Sequence, residues 1–258
     1  MRQSLVCRFV QSHVCFRTLK PDIGSSLWTA PIQKIGSLCV KSPVPNVKLP
    51  QGLWYVPDVL SLAQESRILQ TINETPFDES SIRRRLQFHG EVTMAHQSHP
   101  HIHIHTLHAR HPSSQLLVNE YLGNTGLSCH LEDPLAFGHY IYTISLINPV
   151  WMDLKPILND SDTSNTNTIP KQRSENTVDG VNPLLPMRIL LEPRSVLILA
   201  GNARYRWMHG ITKTKSVQLP GGMESVPRDE GYRRISLTLR YLREGRKKVQ
   251  CDSFDWVS

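Results

Sequence analysis

The chain predicts an α+β fold whose core is a jelly-roll sandwich with flanking helices. Short β-like runs with turn residues between them fill its second half, the pattern of an antiparallel sandwich. A single stretch of helical periodicity precedes them, placed to pack across a sheet. P-loop, G-x-G-x-x-G and repeat signatures are absent, which leaves the sandwich without a competing nucleotide-binding architecture.

The elements follow in order. Residues 1–45 are basic and carry one acidic residue, Asp22. This resembles a mitochondrial transit peptide, and a flexible tail or a misplaced start explains it equally, so residues 1–50 are expected to form a basic, flexible extension. From Trp54 the chain reads as globular, and a domain is expected over 51–244. Val59, Leu62, Ile68, Leu69 and Ile72 recur near helical spacing after the Pro57-Asp58 start signal, predicting a helix over 59–75. Residues 96–111 hold seven of the twelve histidines. The alternation through 101–105 reads as a strand with imidazoles on one face, either a plain solvated face or an accessory metal-binding or pH-charging lid. Leu116-Leu117-Val118 runs into Asn119-Glu120-Tyr121, and 141–146 is strand-like. Residues 157–186, rich in Asn, Ser, Thr, Asp and Pro, form a flexible insertion. Two β-like runs, 189–191 and 195–200, flank a Glu-Pro-Arg turn, and 219–229 is a loop turning at Pro220-Gly221-Gly222. A basic tail closes the chain at 245–258.

Composition narrows the function classes. At 258 residues there is room for one sizeable domain with extensions, and the net charge of +7 favours an anionic partner, nucleic acid first. Five dispersed cysteines without a C-x-x-C argue against a disulfide framework or structural zinc. A reducing compartment fits, cytoplasmic or nuclear, with the mitochondrion as the alternative. No run reaches the length of a membrane helix, so no membrane association is expected, and the chain is expected to be a monomer.

The candidate site is scattered. His130 and Glu132 are two residues apart, and on a strand they share a face. His209, in Arg206-Trp207-Met208-His209-Gly210-Ile211, can supply a third ligand from elsewhere. Two histidines and one carboxylate leave positions of an octahedron open, the ligand set of non-haem Fe(II) oxygenases. Asp133 would face away from His130 and is the weaker candidate, and Cys129 would point to the opposite side. The run 234–240 alternates so that Arg234, Ser236, Thr238 and Arg240 share one face. A metal with open positions beside a guanidinium points to a co-substrate whose carboxylate is gripped bidentately.

Taken in order, Asn119-x-Tyr121, His130-x-Glu132, Phe137-Gly138, Ser145-Leu146, His209-Gly210-Ile211 and Arg234-x5-Arg240 resemble the AlkB family of Fe(II)/2-oxoglutarate-dependent dioxygenases. Residues 193–211 are especially similar to the branch that modifies the wobble uridine of tRNA. Residues 52–58 and 83–89 resemble the family's leading segment and its Arg-rich strand before the substrate lid. The resemblance spans roughly 51–244.

It implies a double-stranded β-helix (jelly roll), with Fe(II) held by His130, Glu132 and His209, and O2 and 2-oxoglutarate as co-substrates. The distal carboxylate of 2-oxoglutarate would meet Arg234 with help from Tyr121, while Asn119 and Arg240 would lie near its chelating end. The implied reaction is oxidative hydroxylation or demethylation of a nucleic-acid base, RNA (tRNA) ahead of DNA. By their charge, Arg83, Arg84, Arg85 and Arg246-Lys247-Lys248 are either phosphate contacts or plain solvated surface. Two positions depart from the family: Glu132 stands where Asp is usual, and Ser236 where some members carry Asn. Glu keeps the charge and both oxygens, and a Ser hydroxyl still donates a hydrogen bond. Two other readings stay open, a protein hydroxylase or demethylase on the same scaffold and a weakly active or inactive jelly-roll binding protein.

Overall fold

The structure is a computed structural model and describes residues 27, 29–78, 84–90, 114–157, 185–222 and 224–242. The expected His-rich strand at 101–105, most of the 157–186 insertion and the basic tail lie outside the described residues. The strands among the described residues are β1 (Ile32–Ile35), β2 (Leu38–Lys41), β3 (Leu53–Val56), β4 (Arg85–Gly90), β5 (Ser114–Leu122), β6 (Leu127–His130), β7 (Phe137–Leu146), β8 (Val150–Pro156), β9 (Met187–Leu191), β10 (Val196–Leu199), β11 (Trp207–Ile211), β12 (Ser216–Gln218), β13 (Ser225–Pro227) and β14 (Arg233–Leu242). Among the described residues, helices α1 (Leu62–Glu74) and the short α2 (Gly201–Tyr205) accompany them.

Two six-stranded sheets form the body: β1-β2-β9-β8-β11-β6 and β3-β10-β7-β14-β5-β4. We name them the first and second sheet. Their strand pairs are antiparallel throughout. Alternate residues of each sheet turn inward and meet in one core, with Val40, Met152, Leu154 and Ile189 from the first and Tyr121, Phe137, Ile141 and Leu199 from the second. This is the expected sandwich. The helical share is smaller than an α+β reading implies, since among the described residues only α1 flanks a sheet at length.

Helix α1 lies within the expected 59–75 but starts three residues later, at Leu62, where Ser61 and Gln64 form a reciprocal capping box. Its apolar side, Ile68, Leu69 and Ile72, packs on Leu116, Val118, Ile235 and Leu237 of the second sheet's outer face. Gln87 Nε2 donates to the Ile72 and Thr75 carbonyls, each at 2.8 Å, satisfying acceptors that a helix end leaves free. No helix among the described residues is long and apolar enough to cross a membrane.

Two expectations need correcting. Inside the stretch read as a flexible extension (1–50), β1 and β2 form a hairpin, and β2 pairs with β9 as part of the first sheet. Leu38 and Val40 are core residues there, so apolar burial overrides the basic composition around them. The 219–229 loop also contains β13, which pairs with β12. Their Val217 and Val226 cluster with Cys39, Trp151 and Leu190 of the first sheet's outer face and with Tyr232, just ahead of β14.

Candidate active site

The site lies between the sheets at the β6 edge of the first. In the antiparallel β6–β11 ladder, His209 stands directly opposite His130, and the ring centroids are 4.5 Å apart. The imidazole Nε2 atoms of His130 and His209 lie 3.8 Å and 4.0 Å from Glu132 Oε1. Ligand atoms of all three residues fall within 4.8 Å of one another, a group that could hold a metal ion. His130 Nδ1 is 3.0 Å from the Ser128 carbonyl, a contact that turns Nε2 toward the group in the way a carbonyl orients a ligating imidazole.

Glu132 reaches this position differently from the strand-alternation argument. Strand β6 ends at His130, so Glu132 sits in the segment beyond it, and two arginines put it there. Arg240 Nη1 donates to Glu132 Oε2 at 2.9 Å, leaving Oε1 for the histidines. Buried Arg204 bonds the backbone instead: it donates to the carbonyls of Gly138 (2.7 Å), Phe137 (3.1 Å), Asp133 (3.2 Å) and Glu132 (3.3 Å). Asp133 is occupied elsewhere, accepting from the Leu135 and Ala136 amides. Cys129 faces the opposite side, against Gly210.

The electrostatics suit a cation. Burial pushes the Glu132 carboxyl up, but contact with His130 and the nearby Arg240 and His209 outweigh it and hold the group well below the usual carboxylate range. His209 is pushed down to about 4, mainly by burial and then by His130. Glu132 is therefore charged and His209 neutral near pH 7, the protonation states that ligation requires.

On the facing sheet, β14 lies between β5 and β7, and its register sets Arg234 opposite Tyr121, and Ser236 between Asn119 and Ser145. Arg234 is 1% exposed. Its Nη2 donates to Ser145 Oγ at 2.9 Å and its guanidinium lies 5.2 Å from the Tyr121 ring. Among the described residues nothing bonds Arg234 Nε or Nη1. Burial pushes its pKa down, opposed by Tyr121 and Tyr232. A buried guanidinium with free donors costs free energy unless an anion meets it, so the residue fits a carboxylate ligand. Asn119, Tyr121 and Ser236 are buried beside it.

Residues 94–240 match the 2OG-Fe(II) oxygenase superfamily. The chain belongs to that superfamily. The family's chemistry takes Fe(II), 2-oxoglutarate and O2, which makes this a dioxygenase domain. It is similar to the alkylated DNA repair protein ALKBH8 homolog of Arabidopsis thaliana, 34% identical over 129 residues, 50% of this chain and 34% of that one. It is also similar to the tRNA (carboxymethyluridine(34)-5-O)-methyltransferase ALKBH8 of Mus musculus, 25% identical over 205 residues, 68% of this chain and 27% of that one. The domain thus spans between about a quarter and a third of these curated relatives. Among solved structures, that of OsALKBH1 aligns with a TM-score of 0.49 and 14% identity over 75% of this chain and 100% of that one.

The structure brings all eight residues singled out in the sequence to the space between the sheets. Three others matter there. Ser145, which stands out in the sequence only as half of a Ser-Leu dipeptide, holds Arg234. Arg204 anchors the Glu132 segment, and its bonds to carbonyls leave no side-chain pattern to read. Arg84 donates to Asn119 Oδ1 at 3.0 Å and to the Tyr121 hydroxyl at 3.4 Å. Arg85 pairs with Glu120. Both therefore have protein partners, where the sequence left phosphate contact or solvated surface open.

Proposed function

We propose that this oxygenase domain oxidises a base in nucleic acid, RNA and tRNA foremost, in an Fe(II)- and 2-oxoglutarate-dependent reaction. One observation carries the reading: the His130–Glu132–His209 group and a buried guanidinium, Arg234, with two nitrogens unbonded among the described residues, both face the space between the sheets. His130, Glu132 and His209 would hold the iron. Arg234 would grip the distal carboxylate of 2-oxoglutarate, with Tyr121 alongside and Asn119, Ser236 and Arg240 completing the pocket. When bound, the iron and co-substrate supply activation of O2 for oxidising a substrate C–H bond.

The chain's own contribution is positional. Arg240 fixes Glu132 Oε2, Ser128 fixes the His130 ring, and Arg204 fixes the backbone that carries Glu132. Ser145 holds Arg234 at one Nη2 hydrogen and leaves the rest of the guanidinium's donors for the carboxylate. The net charge of +7 favours a polyanionic substrate, and the names of the relatives supply tRNA and alkylated DNA as the classes to screen.

The test is succinate formation from 2-oxoglutarate on exposing the Fe(II)-loaded protein to O2, in the wild type, His130→Ala and Arg234→Ala. Succinate in the wild type and its loss in both variants is the expected result, and no succinate in any of them overturns the reading. Turnover is then compared on tRNA, methylated DNA and methylated peptides, and a preference for the peptides would overturn the nucleic-acid assignment.

A further inference from the structure

A second cluster of charge lies on the outer face of the first sheet, behind the candidate metal group. Lys41, Arg188, Asp153 and Gly210 form one cross-strand row over β2, β9, β8 and β11. Gly210 follows His209, and His209 faces inward opposite the core residue Leu154, so the row faces outward. The β12–β13 hairpin folds over this face and borders a half-open cavity of about 580 Å³, lined in part by Lys41, Arg188, Lys213, Lys215, Ser216 and Ser225. That volume lies in the range of small-ligand sites, about 300–1,000 Å³.

Its charge is unbalanced. Arg188 Nε reaches Asp153 Oδ1 at 2.5 Å, while Asp153 Oδ2 accepts from the Thr212 amide at 3.0 Å and from its hydroxyl. Both oxygens of the one carboxylate in the row are therefore engaged. Lys41 is 4% exposed and Arg188 3% exposed. Lys41 Nζ donates to Gln218 Oε1 at 3.0 Å and lies 5.0 Å from the Trp151 ring centroid. Neither partner is an anion, and among the described residues no carboxylate lies within ion-pair distance of Lys41. Exposed Lys213 and Lys215 add two more cations, and among the described residues Glu224 is the one lining acid. Burial, and then Arg188, push the Lys41 pKa down, the direction expected of a buried ammonium without a counter-charge.

We propose that this cavity binds a nucleotide phosphate group, either within a nucleic-acid strand or as a free nucleotide. Lys41, Lys213 and Lys215 and the Ser216 and Ser225 hydroxyls supply donors that a phosphate can fill, and the cavity leaves room for the attached sugar. The strand arm rests on the proposed function, whereas the free-nucleotide arm stands without it. If a strand binds here, its backbone is held behind the sheet that carries His209, and its length is anchored away from the oxidised base.

The test uses the full chain. Binding of a labelled single-stranded RNA oligonucleotide is measured by fluorescence anisotropy, and binding of adenosine monophosphate by calorimetry. The proteins are the wild type, the surface double variant Lys213→Glu/Lys215→Glu, and Lys41→Met, which keeps the stem over Trp151 and removes the charge. We expect affinity for one ligand or both to fall about tenfold or more in each variant. The salt dependence of RNA binding should become shallower by about one unit of slope for every phosphate the variant no longer neutralises. Loss confined to RNA assigns the strand, and loss confined to the monophosphate assigns the free nucleotide. Wild-type binding of both ligands in the double variant, or no binding of either ligand by the wild type, overturns the proposal. If Lys41→Met fails to fold, the double variant decides alone. Substrate-free succinate formation should be unchanged in the double variant, which separates failure of this site from failure of the oxygenase reading.

Discussion

His130 and His209 face each other across the β6–β11 ladder, and the residue that permits this is Gly210. A Cβ placed there would meet Cys129 Sγ at 2.8 Å, the Leu127 carbonyl at 2.8 Å and Cys129 Cα at 2.9 Å. Two of these three atoms are backbone atoms of β6, so a side chain cannot be accommodated by a rotamer change. The strand must move, and His130 moves with it. Gly210→Ala should therefore destabilise the fold by about 1–3 kcal/mol, the usual range for overpacking. It should also weaken binding of Fe(II) or a redox-inert substitute. Urea unfolding and metal titration check this, and unchanged metal affinity would show that β6 yields without disturbing His130.

Arg204 supports the third member of the group through the backbone. Its guanidinium satisfies carbonyls at 132, 133, 137 and 138, and each buried acceptor left without a partner costs about 1–3 kcal/mol. Arg204→Ala should lower stability by several kcal/mol, and Arg204→Lys by less, because a single ammonium recovers only part of the fork. In the lysine variant metal affinity should fall about 10- to 100-fold, the usual effect of removing support from behind a ligand. Equal metal binding by wild type and Arg204→Lys would mean that Arg240 alone positions Glu132.

These relationships show which parts of the molecule the sequence exposes. The period of two through 234–240 places Arg234, Ser236 and Arg240 on one face, and β14 obeys it because it runs between β5 and β7 with nearly continuous register. The same rule fails in form for Glu132. Strand β6 stops at His130, and a side chain beyond a strand end is aimed by its partners, here Arg240. Arg204 is invisible in the sequence as a structural anchor because carbonyls carry no sequence signature. The β1–β2 hairpin is hidden because its short apolar runs sit in a basic segment, and its stability comes from pairing with β9, far along the chain.

His209 makes the fold sensitive to acid in a definable window. Its pKa is about 4 in the folded protein against an ordinary value of 6.5. Between these values the unfolded chain binds the extra proton, so stability is fully present above pH 6.5 and declines as pH falls toward 4. The contribution amounts to about 3 kcal/mol across the full window. His209→Asn should flatten the slope between pH 6.5 and 4.5, where Glu132, held below the usual carboxylate range, stays ionised. Denaturant unfolding with EDTA present reads this directly. A wild-type slope no steeper than that of the variant would contradict a buried neutral imidazole.

Arg234 yields the sharpest contrast between stability and binding. Without a ligand it is a buried cation whose Nε and Nη1 have no partner among the described residues. Arg234→Met removes that charge, so the ligand-free variant should be more stable than the wild type, on the order of 1 kcal/mol or more, as when buried ionic groups are replaced by apolar ones. Saturating 2-oxoglutarate should reverse the order. The wild type gains about 2.7 kcal/mol at a hundredfold excess over Kd, and the variant gains nothing. Losing the partner of a buried carboxylate costs about 2–5 kcal/mol, so the KM for 2-oxoglutarate should rise by roughly 30-fold to several thousandfold. Arg234→Lys should fall between, since it keeps the charge without the fork. Thermal unfolding with and without 2-oxoglutarate tests both halves. A variant that is still stabilised by 2-oxoglutarate like the wild type would move the carboxylate site away from Arg234.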